Sequence, residues 1–119
     1  MDIATLKIIQ TLIHYGLHFV FPLVIAWLFF KDDWKKTYLI LLCTMLVDLD
    51  HLLATPIFEA GRCSIGFHPL HSYYAIAVYF LLLFQKNKLI KIIAIGLLFH
   101  MFTDYQDCRW NEFILNYGR

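Results

Sequence analysis

Four long apolar stretches, Ile8 to Phe30, Tyr38 to Ala54, Pro69 to Phe84 and Leu89 to Phe102, are set apart by short polar segments. None alternates apolar and polar residues as a half-buried strand would, so each predicts a helix. Lys31-Asp32-Asp33-Trp34-Lys35-Lys36 and Gln85-Lys86-Asn87-Lys88 read as turns, and the longer connection from Thr55 to His68 carries Pro56, Gly61, Arg62, Cys63 and Gly66 as loop punctuation. Thr55, just before a proline, should end the second helix. His68 also precedes a proline and should be extended near the N-cap of the third helix, with Pro69 in its first turn. Pro22 predicts a kink in the first helix. The expected elements are helices at about 4–30, 36–55, 69–85 and 88–105, followed by an interfacial tail at 106–119 with Trp110, Phe113, Ile114, Leu115 and Tyr117, in one domain.

Composition decides where such helices belong. Of 119 residues, 61% are hydrophobic and 16% charged, more apolar surface than one small core can hide. The expected fold is all-α: a polytopic membrane protein with a four-helix transmembrane bundle. The last two stretches are shorter than the roughly 20 residues needed to cross a bilayer core. A re-entrant hairpin is therefore the alternative, but snorkelling lysines and a hydrated site favour spanning. Histidines inside the first stretch and the lack of a small-residue cleavage site after it argue against a signal peptide. Lys31, Lys35, Lys36, Lys86, Lys88 and Lys91, six of the ten basic residues, fall at one end, which the positive-inside rule makes cytoplasmic. The expected location is the inner (cytoplasmic) membrane of a bacterium, with both termini and the long connection extracytoplasmic. Cys63 and Cys108 would then share the oxidising side, where a disulfide and two free thiols are both open. Cys43 reads as packing. A net charge of +1 offers no basic field for nucleic acid. Membrane lipid is the expected partner, and self-association stays open.

The polar residues inside the apolar stretches are confined to one end. His14 and His18 lie in the first helix, Asp48, Asp50 and His51 at the end of the second, His68 and His71 at the start of the third, and His100 and Asp104 in the fourth. Ionisable groups in a membrane segment cost about 2.5–3.5 kcal/mol each on insertion scales, so each needs a partner or water. His14 and His18, and likewise His100 and Asp104, are four residues apart and share a helix face, about 40° apart. Asp48 and His51 also share a face. Asp50 points away from Asp48 unless the helix unwinds, so it either orients a histidine or serves as a ligand from a distorted turn. A divalent cation is the common partner these groups predict. The metal candidates are His14, His18, Asp48, Asp50, His51, His71, His100 and Asp104, with His68 as a cap or substrate contact. That set exceeds one tetrahedral zinc and suits two or three ions, with zinc, manganese and iron all chemically compatible.

The order of these motifs, an early membrane histidine, Asp48-Leu49-Asp50-His51, His71-Ser72 and His100-Met101-Phe102-Thr103-Asp104, resembles the YdjM-like family of membrane-bound metal-dependent hydrolases. That family is in turn distantly similar to zinc-dependent phospholipases C. The resemblance runs from His14 to Asp104. It departs at His68-Pro69-Leu70-His71-Ser72, where the family pattern has an arginine and wider histidine spacing, and this chain is shorter. It implies a metal site on the residues named above. The expected activity is hydrolysis of a phosphoester in a lipid or lipid-linked substrate, with Asp104 or Asp50 accepting the water's proton, His68 assisting the leaving group and Arg62 near the phosphate. A di-iron lipid oxidase, a haem protein with His14 or His18 facing His100, and a metal or proton conductor are the alternatives.

Overall fold

The computed structural model describes residues 1–57 and 62–119; Gly61, counted above as loop punctuation, lies outside the described residues. Among the described residues the chain is all helical: α1 (Ile3–Phe19), α2 (Phe21–Phe29), α3 (Trp34–Cys43), a 3-10 segment (Thr44–Leu53), a 3-10 turn (Pro69–His71), α4 (Tyr73–Leu82) and α5 (Lys88–Tyr117). Side chains cap three of the helices. Asp2 accepts the Thr5 N–H at 2.7 Å, Ser72 accepts that of Ala75, and Asn87 accepts those of Leu89 and Ile90. The Thr5 bonds also hold the Asp2 pKa below the usual carboxylate value. Pro22 sits in the first turn of α2, where its missing N–H breaks the α1 ladder. His68 is extended before Pro69, as expected, but Ser72 rather than His68 caps α4.

The second apolar stretch departs from the expected α-helix for a reason that reaches the polar cluster. Its buried positions, Leu41, Thr44, Val47 and Asp50, recur every third residue. An α-helix would carry that row halfway round its axis, whereas a 3-10 helix, with three residues per turn, keeps it in line. The 3-10 winding therefore delivers Asp50 to the interior. The fourth helix also departs: it runs through the expected tail to Tyr117, 30 residues in all.

Antiparallel α1 and α5 lie side by side; Gln10 donates to Asp107 and Asn111, and the Tyr117 hydroxyl donates to the Met1 carbonyl. At the opposite end the two polar turns meet, with Lys88 Nζ 2.9 Å from Asp33 Oδ2, a bond that lowers the Asp33 pKa. Ala26, Leu41 and Ile92 pack near that end, and Val47, Tyr79 and Met101 pack below the polar cluster. Gly96 of α5 faces Thr44 so closely that an added Cβ would lie 2.6 Å from Thr44 Cγ2 and 2.7 Å from its Oγ1. Thr44 is buried and its hydroxyl is bonded to the Leu41 carbonyl, so it has nowhere to turn. Gly96→Ala is expected to destabilise the protein by about 1–3 kcal/mol through overpacking, read as a lowered denaturation midpoint in detergent.

Two helical units, Ile3–Phe29 and Lys88–Tyr117, are long and apolar enough to cross a membrane, rather than the four expected. At ten residues α4 is only about 15 Å long. Large apolar side chains stay exposed along both long units, among them Leu12 at 69% and Phe29 at 75%. Cys43, read above as packing, is exposed. Cys63 and Cys108 form a disulfide with Cα atoms 5.2 Å apart, tying the segment before His68 to α5. Thiol blocking followed by electrophoresis should show a mobility change on reduction; identical mobility would contradict the bond.

Candidate metal centre

Three elements bring four ligand atoms together. The 3-10 segment supplies Asp48, the 3-10 turn supplies His71, and two successive turns of α5 supply His100 and Asp104. Asp48 Oδ1 lies 3.2 Å from His71 Nε2 and 3.0 Å from His100 Nε2. Asp104 Oδ2 lies 3.0 Å from His71 Nε2 and 3.1 Å from His100 Nε2. A tetrahedral ion with bonds of about 2.0–2.1 Å sets its ligand atoms roughly 3.3 Å apart, so these four edges are within a few tenths of an ångström of the spacing between ligands on one ion, which can expand to take a water as a fifth.

A purely hydrogen-bonded cluster is the competing account, and His100 Nε2 does meet Asp48 Oδ1 at hydrogen-bonding distance, 3.0 Å; what favours a cation is the surroundings of His71. Its Nδ1 is bonded to Asp50 Oδ2 at 2.9 Å. A neutral imidazole that donates from Nδ1 turns a lone pair outward at Nε2. That Nε2 is buried and makes no hydrogen bond, although two carboxylate oxygens flank it. In that neutral tautomer the lone pair faces two carboxylates, which is repulsive without a cation between them, whereas an imidazolium would aim an N–H at them. Every ion pair that Asp48, Asp50 and Asp104 make among the described residues is with a histidine, so no lysine or arginine neutralises them there. The donor set of two imidazoles and two carboxylates fits a divalent ion such as zinc.

Toward the central gap Asp50 is placed as an orienting residue, while with His51 and His68 it also forms a separate group whose ligand atoms lie within 4.8 Å of one another. Its Oδ2 accepts from the Leu70 N–H and from His71 Nδ1, and its Oδ1 lies 3.1 Å from His51 Nδ1. With both oxygens occupied and the side chain 1% exposed, it fixes imidazoles rather than facing the gap. His51 stands outside the central four. It is stacked on His68 with ring centroids 3.9 Å apart, and its Nε2 meets Ser64 Oγ. Burial and the His51 ring pull the His68 pKa below the ordinary imidazole value. Arg62 donates to the Pro56 carbonyl and lies over the Phe67 ring, packed within its own loop.

His14 and His18 sit on the other side of Asp104. His18 Nε2 is 3.7 Å from Asp104 Oδ1, and His14 Nδ1 is 3.7 Å from Asp107 Oδ1. Asp107 is absent from the sequence-derived set, although its spacing signalled it: His100, Asp104 and Asp107 follow one face of α5. The α-helix was expected to end before it.

No curated protein and no solved structure matches the chain. The family that does match differs from the YdjM-like family that the motifs resemble. Residues 8–111 match DUF6122, so the chain belongs to that family, a family of unknown function.

Proposed function

We propose that this chain is a membrane-embedded, metal-dependent hydrolase acting on phosphoester bonds in a lipid or lipid-linked substrate. The observation that carries the proposal is the convergence of Asp48, His71, His100 and Asp104 on one gap, with the buried His71 Nε2 aimed into it. Exposed apolar side chains and two long apolar helices support the membrane setting. The segment Trp34–Leu53, ten α-helical and ten 3-10 residues, is roughly 35 Å long because 3-10 winding rises faster. It is long enough to form a third crossing, and α4 with its flanking turns completes a four-helix bundle.

With the lysine turns at the cytoplasmic headgroups, Asp104 lies roughly 24 Å along α5, just inside the far boundary of a hydrocarbon core about 30 Å thick. The site is then extracytoplasmic, in agreement with the disulfide beside it. A groove of about 620 Å³, lined by Leu39, Leu46, Leu89 and Ile93, reaches Val47 and Leu70, the chain neighbours of Asp48 and His71. Such a groove suits the acyl chain of a substrate whose phosphate meets the centre.

A bound divalent ion supplies an activated water and positive charge for the phosphoryl oxygens. Asp48 is the carboxylate open to that water: its side chain is 41% exposed, against 11% for Asp104. It would accept the water's proton as the water oxygen bonds to phosphorus, and return that proton to the ester oxygen as the P–O bond breaks and the alcohol leaves. Asp104 holds the ion, and Asp50, with His51 and His68 behind it, fixes His71. His18 and His100 ring centroids are 4.7 Å apart, too close for a porphyrin between them. Toward the lysine turns, Thr37 and Thr44 are the buried polar side chains among the described residues, so no titratable relay continues through that half.

The test is turnover in nanodiscs doped with glycerophospholipid, with zinc or manganese added. Release of a phosphorylated headgroup or a phosphatidate, stopped by chelation and by Asp48→Asn, is the expected result. Oxygen consumption with bound iron and no phosphoester cleavage would replace the hydrolase with a lipid oxidase.

A further inference from the structure

We propose that His14, His18 and Asp104 hold a second divalent cation, bridged to the first through the two oxygens of Asp104. This rests on the central centre described above and adds a distinct subsite to it. Asp104 looks both ways. Its Oδ2 faces His71 and His100 at 3.0 and 3.1 Å, while its Oδ1 faces His18 Nε2 at 3.7 Å. A separation of 3.7 Å is too long for a hydrogen bond yet is of the order of the spacing between two ligands on one ion. His14, one turn before His18, stands with its ring centroid 4.5 Å from that of His18. Ligand atoms of His14, His18 and Asp104 lie within 4.8 Å of one another.

The imidazole nitrogen of His14 gives an independent sign. His14 Nδ1 is buried and makes no hydrogen bond. The nearby Asp107 carboxylate is instead held by Gln10, 2.8 Å from its Oδ1. His14 Nδ1 faces Asp107 Oδ1 at 3.7 Å, beyond hydrogen-bonding reach, so this nitrogen is bonded neither to the helix nor to Asp107. A carboxylate shared in this way holds two ions about 3.5–4 Å apart, the separation at which a pair of cations clamps both the attacking and the leaving oxygens of a phosphoryl group.

The experiment is manganese loading of the full chain in detergent, with metal content and electron paramagnetic resonance read on the same sample. The wild-type chain should hold two manganese ions with an exchange-coupled spectrum. His14→Gln and His18→Gln should each keep one ion and give an uncoupled six-line signal. One ion per wild-type chain, lost on Asp48→Ala, would overturn the second site and leave the central centre standing, while no ion at all would overturn both. Two uncoupled ions in the wild type would remove the Asp104 bridge. The wild-type spectrum decides the matter even if a histidine variant fails to fold.

Discussion

Asp104→Ala is expected to strip the protein of bound metal and to lower its stability by about 3–5 kcal/mol, the cost of breaking a buried charged cluster by removing one partner. The size of the effect follows from position. Asp104 is 11% exposed and within 3.7 Å of three imidazoles, those of His18, His71 and His100. No neighbouring carboxylate can replace it, because Asp48 approaches from the 3-10 segment and Asp50 is fully engaged. Thermal denaturation with and without chelator separates the two losses. In the wild type, chelation should lower the midpoint, since ligand at about 100 times its Kd stabilises by ~2.7 kcal/mol. In Asp104→Ala the chelator should change nothing. Asp107→Ala removes a neighbouring charge on the same helix face and should keep the central ion and its chelator response. Equal effects of the two substitutions would contradict the assignment.

Asp50→Asn is expected to weaken metal binding 10–100-fold without removing a ligand. The carboxylate serves the Leu70 N–H, His71 Nδ1 and His51 Nδ1 with two oxygens, and an amide has one. His71 then loses the bond that fixes its tautomer and turns Nε2 to the gap. Asp50→Ala should bind metal no better and should also be less stable, because each buried donor left without a partner costs about 1–3 kcal/mol. Competition against a fluorescent chelator measures the affinity. Unchanged affinity in Asp50→Asn would place Asp50 outside the centre's support.

Much of this arrangement was legible in the sequence because the apolar stretches are long and the histidines are confined to one end of them. The polar turns, the break near Pro22 and the shared faces of His14 with His18 and of His100 with Asp104 all follow from helical periodicity and proline chemistry. The 3-10 winding of Thr44–Leu53 did not follow. Its every-third burial depends on Gly96 and the rest of α5 lying against it, which is a tertiary matter. Asp50 therefore stayed ambiguous between ligand and orienter until His71 was seen beside it. The extension of α5 to Tyr117 was hidden because polar residues after Asp104 look like an exit from lipid, although they continue the helix as a solvated end. Asp107 was lost with that helical turn. The short α4 had been read as a full crossing, since sixteen apolar residues do not reveal that the first few belong to a 3-10 turn holding His71.

The most direct test of the centre is elemental analysis of the detergent-purified chain beside an Asp48→Ala, His100→Ala double variant. The account predicts zinc or manganese bound to the wild-type chain and absent at the central site in the variant. A wild-type chain that binds no divalent metal would contradict it and leave the histidines and aspartates as a hydrogen-bonded cluster.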